Sequence, residues 1–231
     1  MRIRIVESLL NLLESVFQIR VSRYLSRNIN QSSRIEYIFD VGANRGTISK
    51  AYLRLFPGVR IIAIEPLPIF KIESEQIEWM KVALSEKEGK GEFFICRHMP
   101  SSSLILPNSK SNWNQLKAKI LGLKTDELYQ EIQIEISTID KIIHERNIES
   151  VLLLKIDTEG SEFYILKGAL KSLRSGVIKN VQIESQSNDF RESHRGQILN
   201  IMESCSFVHK KSMRHLFGNF KEEFFTLTKN A

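Results

Sequence analysis

At 231 residues, 42% apolar and 26% charged, the chain has room for one large domain with little left for a second, and its composition is that of an ordinary globular protein. Its two cysteines, Cys96 and Cys205, lack Cys-x-x-Cys spacing, which argues against a disulfide framework or structural zinc and fits a reducing cytoplasm; no apolar run approaches the roughly 20 residues that span a bilayer. The formal charge of +6 is concentrated, because residues 1–34 hold six arginines (2, 4, 20, 23, 27 and 34) against Glu7 and Glu14, so no nucleic-acid-binding face is expected on the near-neutral remainder.

In chain order, residues 3–25 read as an amphipathic helix with Val6, Leu9, Leu10, Leu13, Val16, Phe17, Val21 and Tyr24 at helical spacing. Glu7 and Glu14 interrupt any signal-peptide core. The favoured expectation is a helix packed on the main domain or a partner subunit; peripheral membrane contact through its arginine-flanked apolar face is the minority alternative. Asn28 to Ser33 is a polar linker, so the chain divides into residues 1–33 and a main domain over residues 34–231.

From Ile35 onward the pattern predicts strands at 35–40, 60–65, 77–84, 91–97, 131–136, 151–157, 178–184, 206–211 and 223–228, with helices at 46–56, 137–147, 161–174 and 194–204. The nearly continuous apolar run Val151-Leu152-Leu153-Leu154-Lys155-Ile156 suits a central parallel strand buried on both faces. This alternation predicts an α/β fold, an open doubly wound sheet with helices on both sides. Two final strands joined by the basic run His209–His215, read as a turn, predict a C-terminal antiparallel hairpin. Residues 101–130 break the rhythm with Pro100, three serines, Pro107 and a polar stretch around Trp113, a loop that either covers substrate or is a surface insertion.

The chemistry begins at Asp40-Val41-Gly42-Ala43-Asn44-Arg45-Gly46. A strand enters a two-glycine turn and a helix follows at once, the arrangement in which a nucleotide-like cofactor reaches backbone amides and a helix N-terminus. The G-x-G-x-x-G pattern of a dinucleotide site is absent, as is the Gly-Lys-Ser/Thr of a phosphate-binding loop. Asp40 beside a pyrophosphate would repel it, whereas it suits a cationic, phosphate-free ligand such as S-adenosylmethionine.

Glu65, at the end of the second strand and 25 residues beyond Asp40, is placed to accept ribose hydroxyls. Ser85, after the third strand, is a weaker candidate for the adenine edge. The fourth strand ends Lys155-Ile156-Asp157-Thr158-Glu159-Gly160-Ser161-Glu162, where three acids and a lysine crowd a rim at which ligands bind. Thr158, Glu159 and Glu162 also make a helix start, with Glu162 the most structural of them. Glu184, ending the fifth strand, is expected beside Asp157, a pair able to take a proton from a substrate hydroxyl. The same pair could hold Mg²⁺, although two acids alone do not make a site. The five histidines lack zinc-ligand spacing and read as surface or packing residues, so no metal ligand is assigned.

These motifs, with Ser101-Ser102-Ser103-Leu104, Val82-Ala83-Leu84-Ser85, Thr138-Ile139-Asp140 and Lys167-Gly168-Ala169, occur in an order that resembles the FkbM family of S-adenosylmethionine-dependent methyltransferases, from about Ile35 to Ser187. The resemblance implies a seven-stranded, mostly parallel Rossmann-like sheet and O-methylation of a hydroxyl on a sugar, glycan or natural product. It implies that Asp40, Gly42, Asn44, Gly46 and Glu65 line the cofactor and that Asp157 and Glu159 face the reaction centre; the residues themselves make Asp157 or Glu184 the candidate base, with Lys155 orienting a carboxylate or substrate oxygen. Two departures stand out. Only about ten residues separate Pro66 from the next strand, so the helix usual there is short or lost, and Ser185-Gln186 follows Glu184 where many relatives carry a histidine. The rival readings are an NAD-dependent oxidoreductase, which shares the fold and Glu65, and a catalytically inactive binding module.

Overall fold

Most of the strand and helix segments above map onto one sheet and its covering helices in the computed structural model, which describes residues 16–32, 34–70, 72–96, 102–104, 115–116, 118–119, 122–186, 189–215 and 220–228. The main sheet contains β1 (Tyr37–Val41), β2 (Arg60–Ile64), β3 (Ile77–Met80), β8 (Val151–Ile156), β9 (Asn180–Gln186), β10 (Phe207–Arg214) and β11 (Phe220–Leu227) in the order β10-β11-β9-β8-β1-β2-β3. All neighbours are parallel except those of β11, which runs antiparallel to both β9 and β10. The order reverses between β1 and β8, so the carboxyl ends of these two strands open on the crevice where such sheets bind ligands.

One face of the sheet is covered by α1 (residues 16–28) and α2 (Thr47–Leu55), the other by α3 (Ile139–Glu145), α4 (Glu162–Lys167), α5 (Leu170–Arg174) and α6 (Asp189–Ser204). In α1, Phe17, Val21 and Leu25 are buried with Ile29 against Ile38, Ile61, Leu153 and Phe224 of the sheet, the packed arrangement favoured from the sequence. Val16, expected on that face, is exposed, while Leu25 takes the most buried position. The expected helical residues 3–15 lie outside the described residues, as do Ser101, Pro107, Trp113 and Ser187.

Three expected elements differ. The 77–84 strand is two, because after Met80 the chain leaves the main sheet and β4 (Ala83–Leu84) pairs with β7 (Tyr129–Ser137). β7 also pairs antiparallel with the whole of β5 (Gly89–Cys96), and β5 with β6 (Ser102–Ser103), giving a separate four-stranded sheet. The 161–174 helix is broken at Gly168, where a Cβ would stand 2.2 Å from the Ser85 carbonyl oxygen. The new start is capped from α3, since the Asp140 carboxylate accepts hydrogen bonds from the amides of Lys171 (3.0 Å) and Ser172 (2.8 Å). Finally, His209–Arg214 is not a turn; the basic residues lie along β10 itself. His209, Lys210 and Lys211 are all exposed across a register shift in this edge strand, where lysines keep an unpaired edge from joining another sheet.

Candidate functional site at the strand ends

The loop after β1 is tied down on three sides. The amides of Gly42 and Ala43 both donate to Ile64 O (3.0 and 3.1 Å), that of Asn44 donates to Glu65 Oε2 (3.0 Å), and that of Gly46 to Ala43 O (2.8 Å). The expected opening of loop amides to a ligand therefore does not hold for these four: they close the loop instead. Gly42, with φ +78°, is required by contact, because a Cβ there would meet the Asp157 carbonyl oxygen at 1.8 Å. Asn44 (φ 50°) and Gly46 (φ 80°) are also left-handed, and Gly46 forms the N-cap of α2.

Glu65 is buried at the end of β2. Its Oε1 accepts from the Leu67 amide and its Oε2 from that of Asn44, each at 3.0 Å. Burial raises its pKa, opposed by those two amides. No helix occurs in residues 65–76 among the described residues, as the short spacing implied; Phe70 instead stacks on Trp79, and the Trp79 indole donates to Glu65 O. Ser85 is placed elsewhere. Its amide donates to Ser137 O and its carbonyl abuts Gly168, so its backbone belongs to the joint with the second sheet rather than to the loop.

Register sets Asp40, Lys155 and Gln182 side by side across β1, β8 and β9. Asp40 is fully buried, with Oδ2 accepting from Ser49 Oγ of α2 (2.5 Å) and Oδ1 facing Lys155 Nζ (3.3 Å). The same ammonium reaches Asp157 Oδ2 at 3.1 Å. Burial alone would lower the Lys155 pKa, but Asp157 and Asp40 outweigh it and hold the lysine charged well above its usual range. Asp157 hydrogen-bonds Glu184, as expected for adjacent strand ends. Burial acts to raise the Asp157 pKa, yet Lys155 and this hydrogen bond bring it below the usual carboxylate range, while burial and the charge of Asp157 push Glu184 well above it. The opposed directions are those of two adjoining carboxyl groups that resist ionising together.

Glu162 is structural, accepting from the amides of Thr158 (3.2 Å) and Gly160 (2.9 Å) and from the Thr158 hydroxyl. Glu159 sits at φ 58° in that turn, and its carbonyl accepts from Ser103 Oγ (3.2 Å), which fixes β6 over the strand end. A small cleft opens beside Glu184, lined among others by Gly160, Phe163, His194, Arg195 and Glu223. Phe163 and His194 are stacked at 4.9 Å, and Arg195 pairs with Glu223 at 3.2 Å.

Several residues here were not singled out from the sequence. Glu222 of β11 pairs in register with Glu184, and His215 Nε2 stands 3.8 Å from Glu184 Oε1. Glu222 is 2% exposed, and burial, then Asp157, push its pKa up to about 7. Gln182 hydrogen-bonds Glu222 and accepts from the buried Tyr52 hydroxyl of α2 at 3.0 Å. The one signal for Glu222 was its place between Phe220 and Phe224 on one face of the final strand. For His215 there was none, because its position depends on the reversed final strand.

That reversal, inserted between β9 and β10, separates this sheet from the all-parallel dinucleotide-binding arrangement and places the chain among the Rossmann-like methyltransferase folds. Residues 40–208 match the methyltransferase FkbM domain, and the chain belongs to that family. It is similar to methyltransferase sdnD of Sordaria araneosa, 25% identical over 171 residues covering 64% of this chain and 66% of that protein. It is also similar to methyltransferase 1 of Beauveria bassiana, 27% identical over 161 residues covering 64% of each; the matches thus span a little under two thirds of these relatives' length. Among solved structures, it is similar to fibrillarin of Aeropyrum pernix, solved with natively bound S-adenosyl-L-methionine, at 11% identity and a TM-score of 0.46 over 89% of this chain and 73% of that one.

Proposed function

We propose that this chain is an S-adenosylmethionine-dependent O-methyltransferase acting on a hydroxyl of a sugar, glycan or natural product. The observation that carries the reading is the pairing of a closed glycine loop with an acidic rim. Four loop amides are committed within the protein, so they form no phosphate nest, and the acids Asp40, Asp157 and Glu222 act on Lys155, the one buried lysine among the described residues, with Glu184 against Asp157. This environment fits a cationic, phosphate-free cofactor better than a dinucleotide.

Gly42, Asn44, Gly46 and Glu65 are the residues that would hold the cofactor, with the buried Asp40 acting from behind them through Ser49 and Lys155. Each Glu65 oxygen accepts one amide and keeps acceptor capacity for a ribose hydroxyl. When bound, S-adenosylmethionine supplies a methyl group activated by its sulfonium. Asp157 is our base. It is ionised, its side chain is 31% exposed against 14% for Glu184, and Lys155 and Glu184 fix its orientation. The cleft beside Glu184, whose side chain hydrogen-bonds Asp157, is where an acceptor would lie, with Glu159 on the turn that follows Asp157. Positioning of acceptor and methyl in line then supplies much of the rate. The cysteine pattern supports a cytoplasmic setting.

The test is a methyl-transfer assay against sugars, glycans and lipid-linked sugars. Asp157→Asn should lower turnover by about 10²–10⁴-fold with cofactor affinity largely kept. Unchanged turnover in that variant would remove Asp157 from the chemistry.

A further inference from the structure

We infer that Glu184, His215 and Glu222 form a binding site for a divalent first-row transition-metal cation, Zn²⁺ or Mn²⁺, next to Asp157. One ligand atom from each of the three lies within 4.8 Å of the others. They come from three places in the chain that the antiparallel closure of the sheet brings together: β9, the residue following β10, and β11, with Glu184 and Glu222 directly paired across strands. Ligand atoms bonded to such a cation at about 2.0–2.2 Å stand roughly 3–3.5 Å apart, so side-chain rotations of the order of 1 Å close the set.

Glu222 supplies an independent indication. It is 2% exposed, and its Oε2 is a fully buried carboxylate oxygen with no hydrogen-bond partner among the described residues. A buried oxygen left so is unfavourable unless something polar meets it. Within the described residues, the cation nearest in the network, Lys155, is already shared between Asp40 and Asp157.

The surroundings orient the ligands as a metal centre requires. The Tyr52 hydroxyl donates to Gln182 Oε1, which leaves the Gln182 amide group to hydrogen-bond Glu222. Phe17 of α1 stacks on the His215 imidazole at 3.6 Å between ring centroids, and the His215 amide is fixed to Phe220 O. One imidazole with two carboxylates suits Zn²⁺ or Mn²⁺ better than Mg²⁺, which favours all-oxygen shells. Three protein ligands leave a coordination position open towards a substrate oxygen. That last role, polarising the acceptor hydroxyl beside Asp157, rests on the methyl-transfer reading; the site itself does not.

The test uses the full chain, freed of any affinity tag, dialysed against chelator and titrated calorimetrically with Zn²⁺ or Mn²⁺ in the absence of cofactor and acceptor. One equivalent should bind. His215→Ala and Glu222→Gln should each weaken that binding by at least about tenfold, with circular dichroism unchanged in the near-isosteric Glu222→Gln. Absence of stoichiometric binding by both cations, or binding indifferent to both substitutions, overturns the site. Because no methyl transfer is measured, failure here and failure of the proposed activity are separate results.

Discussion

Lys155 is buried between two carboxylates, and that geometry decides what its loss would do. Removing the ammonium leaves Asp40 and Asp157 facing one another without compensation, so Lys155→Met should destabilise the protein by about 3–5 kcal/mol in a denaturant titration. Gly42 has an equally direct consequence. A Cβ would overlap the Asp157 carbonyl oxygen, and φ +78° is unfavourable for alanine, so Gly42→Ala should lower stability by about 2 kcal/mol or more and weaken cofactor binding with it. At the opposite end of β1, Glu36 is fully buried and accepts from Lys179 Nζ (2.6 Å), the Ser32 amide (2.7 Å) and Ser150 Oγ (3.0 Å). Burial acts to raise its pKa, but these partners bring it below the usual carboxylate range. A depressed folded-state pKa contributes stability that is present above the unfolded-state value and lost as pH falls through the folded one. Glu36→Gln should therefore be less stable than the native chain by about 1–3 kcal/mol at neutral pH, with the gap closing as pH falls below about 4. Parallel denaturant titrations across that range would show the convergence.

Elements were most legible where local pattern and tertiary role agree. β1, α2, β2 and β8 fall within a residue or two of expectation, because an apolar run entering a glycine turn and then a helical pattern leaves little alternative. Differences arose where distant residues decide. Nothing near Gly168 in sequence announces the Ser85 carbonyl that its missing side chain admits, or the Asp140 cap that restarts the helix as α5. The same holds for Met80, where the change of sheet is set by pairing with β7, more than 45 residues further on. By contrast Gly196 lies in α6, is exposed and has open space where a Cβ would go. Gly196→Ala should stabilise the protein by about 0.5–1 kcal/mol, read as a rise in Tm.

Across the whole molecule, the site joins two kinds of residue. Asp40, Glu65, Lys155, Asp157 and Glu184 end parallel strands and could be gathered from the sequence by the rule that ligands lie beyond carboxyl ends. Glu222 and His215 enter through the reversed hairpin, and Tyr52 and Phe17 through helices laid over the same face; their register is not written in any local motif. α1 is part of this assembly, since Leu25 is fully buried among sheet residues and Phe17 roofs His215. Leu25→Ala should cost about 2–5 kcal/mol, as for a core residue of the main domain. The measurement that bears most directly on the central claim is calorimetric titration of the native chain and of Glu65→Gln with S-adenosylmethionine and with NAD. The native chain should bind one equivalent of S-adenosylmethionine and no NAD, and Glu65→Gln should weaken the binding by about tenfold or more. Tight binding of NAD with no heat from S-adenosylmethionine would contradict the account.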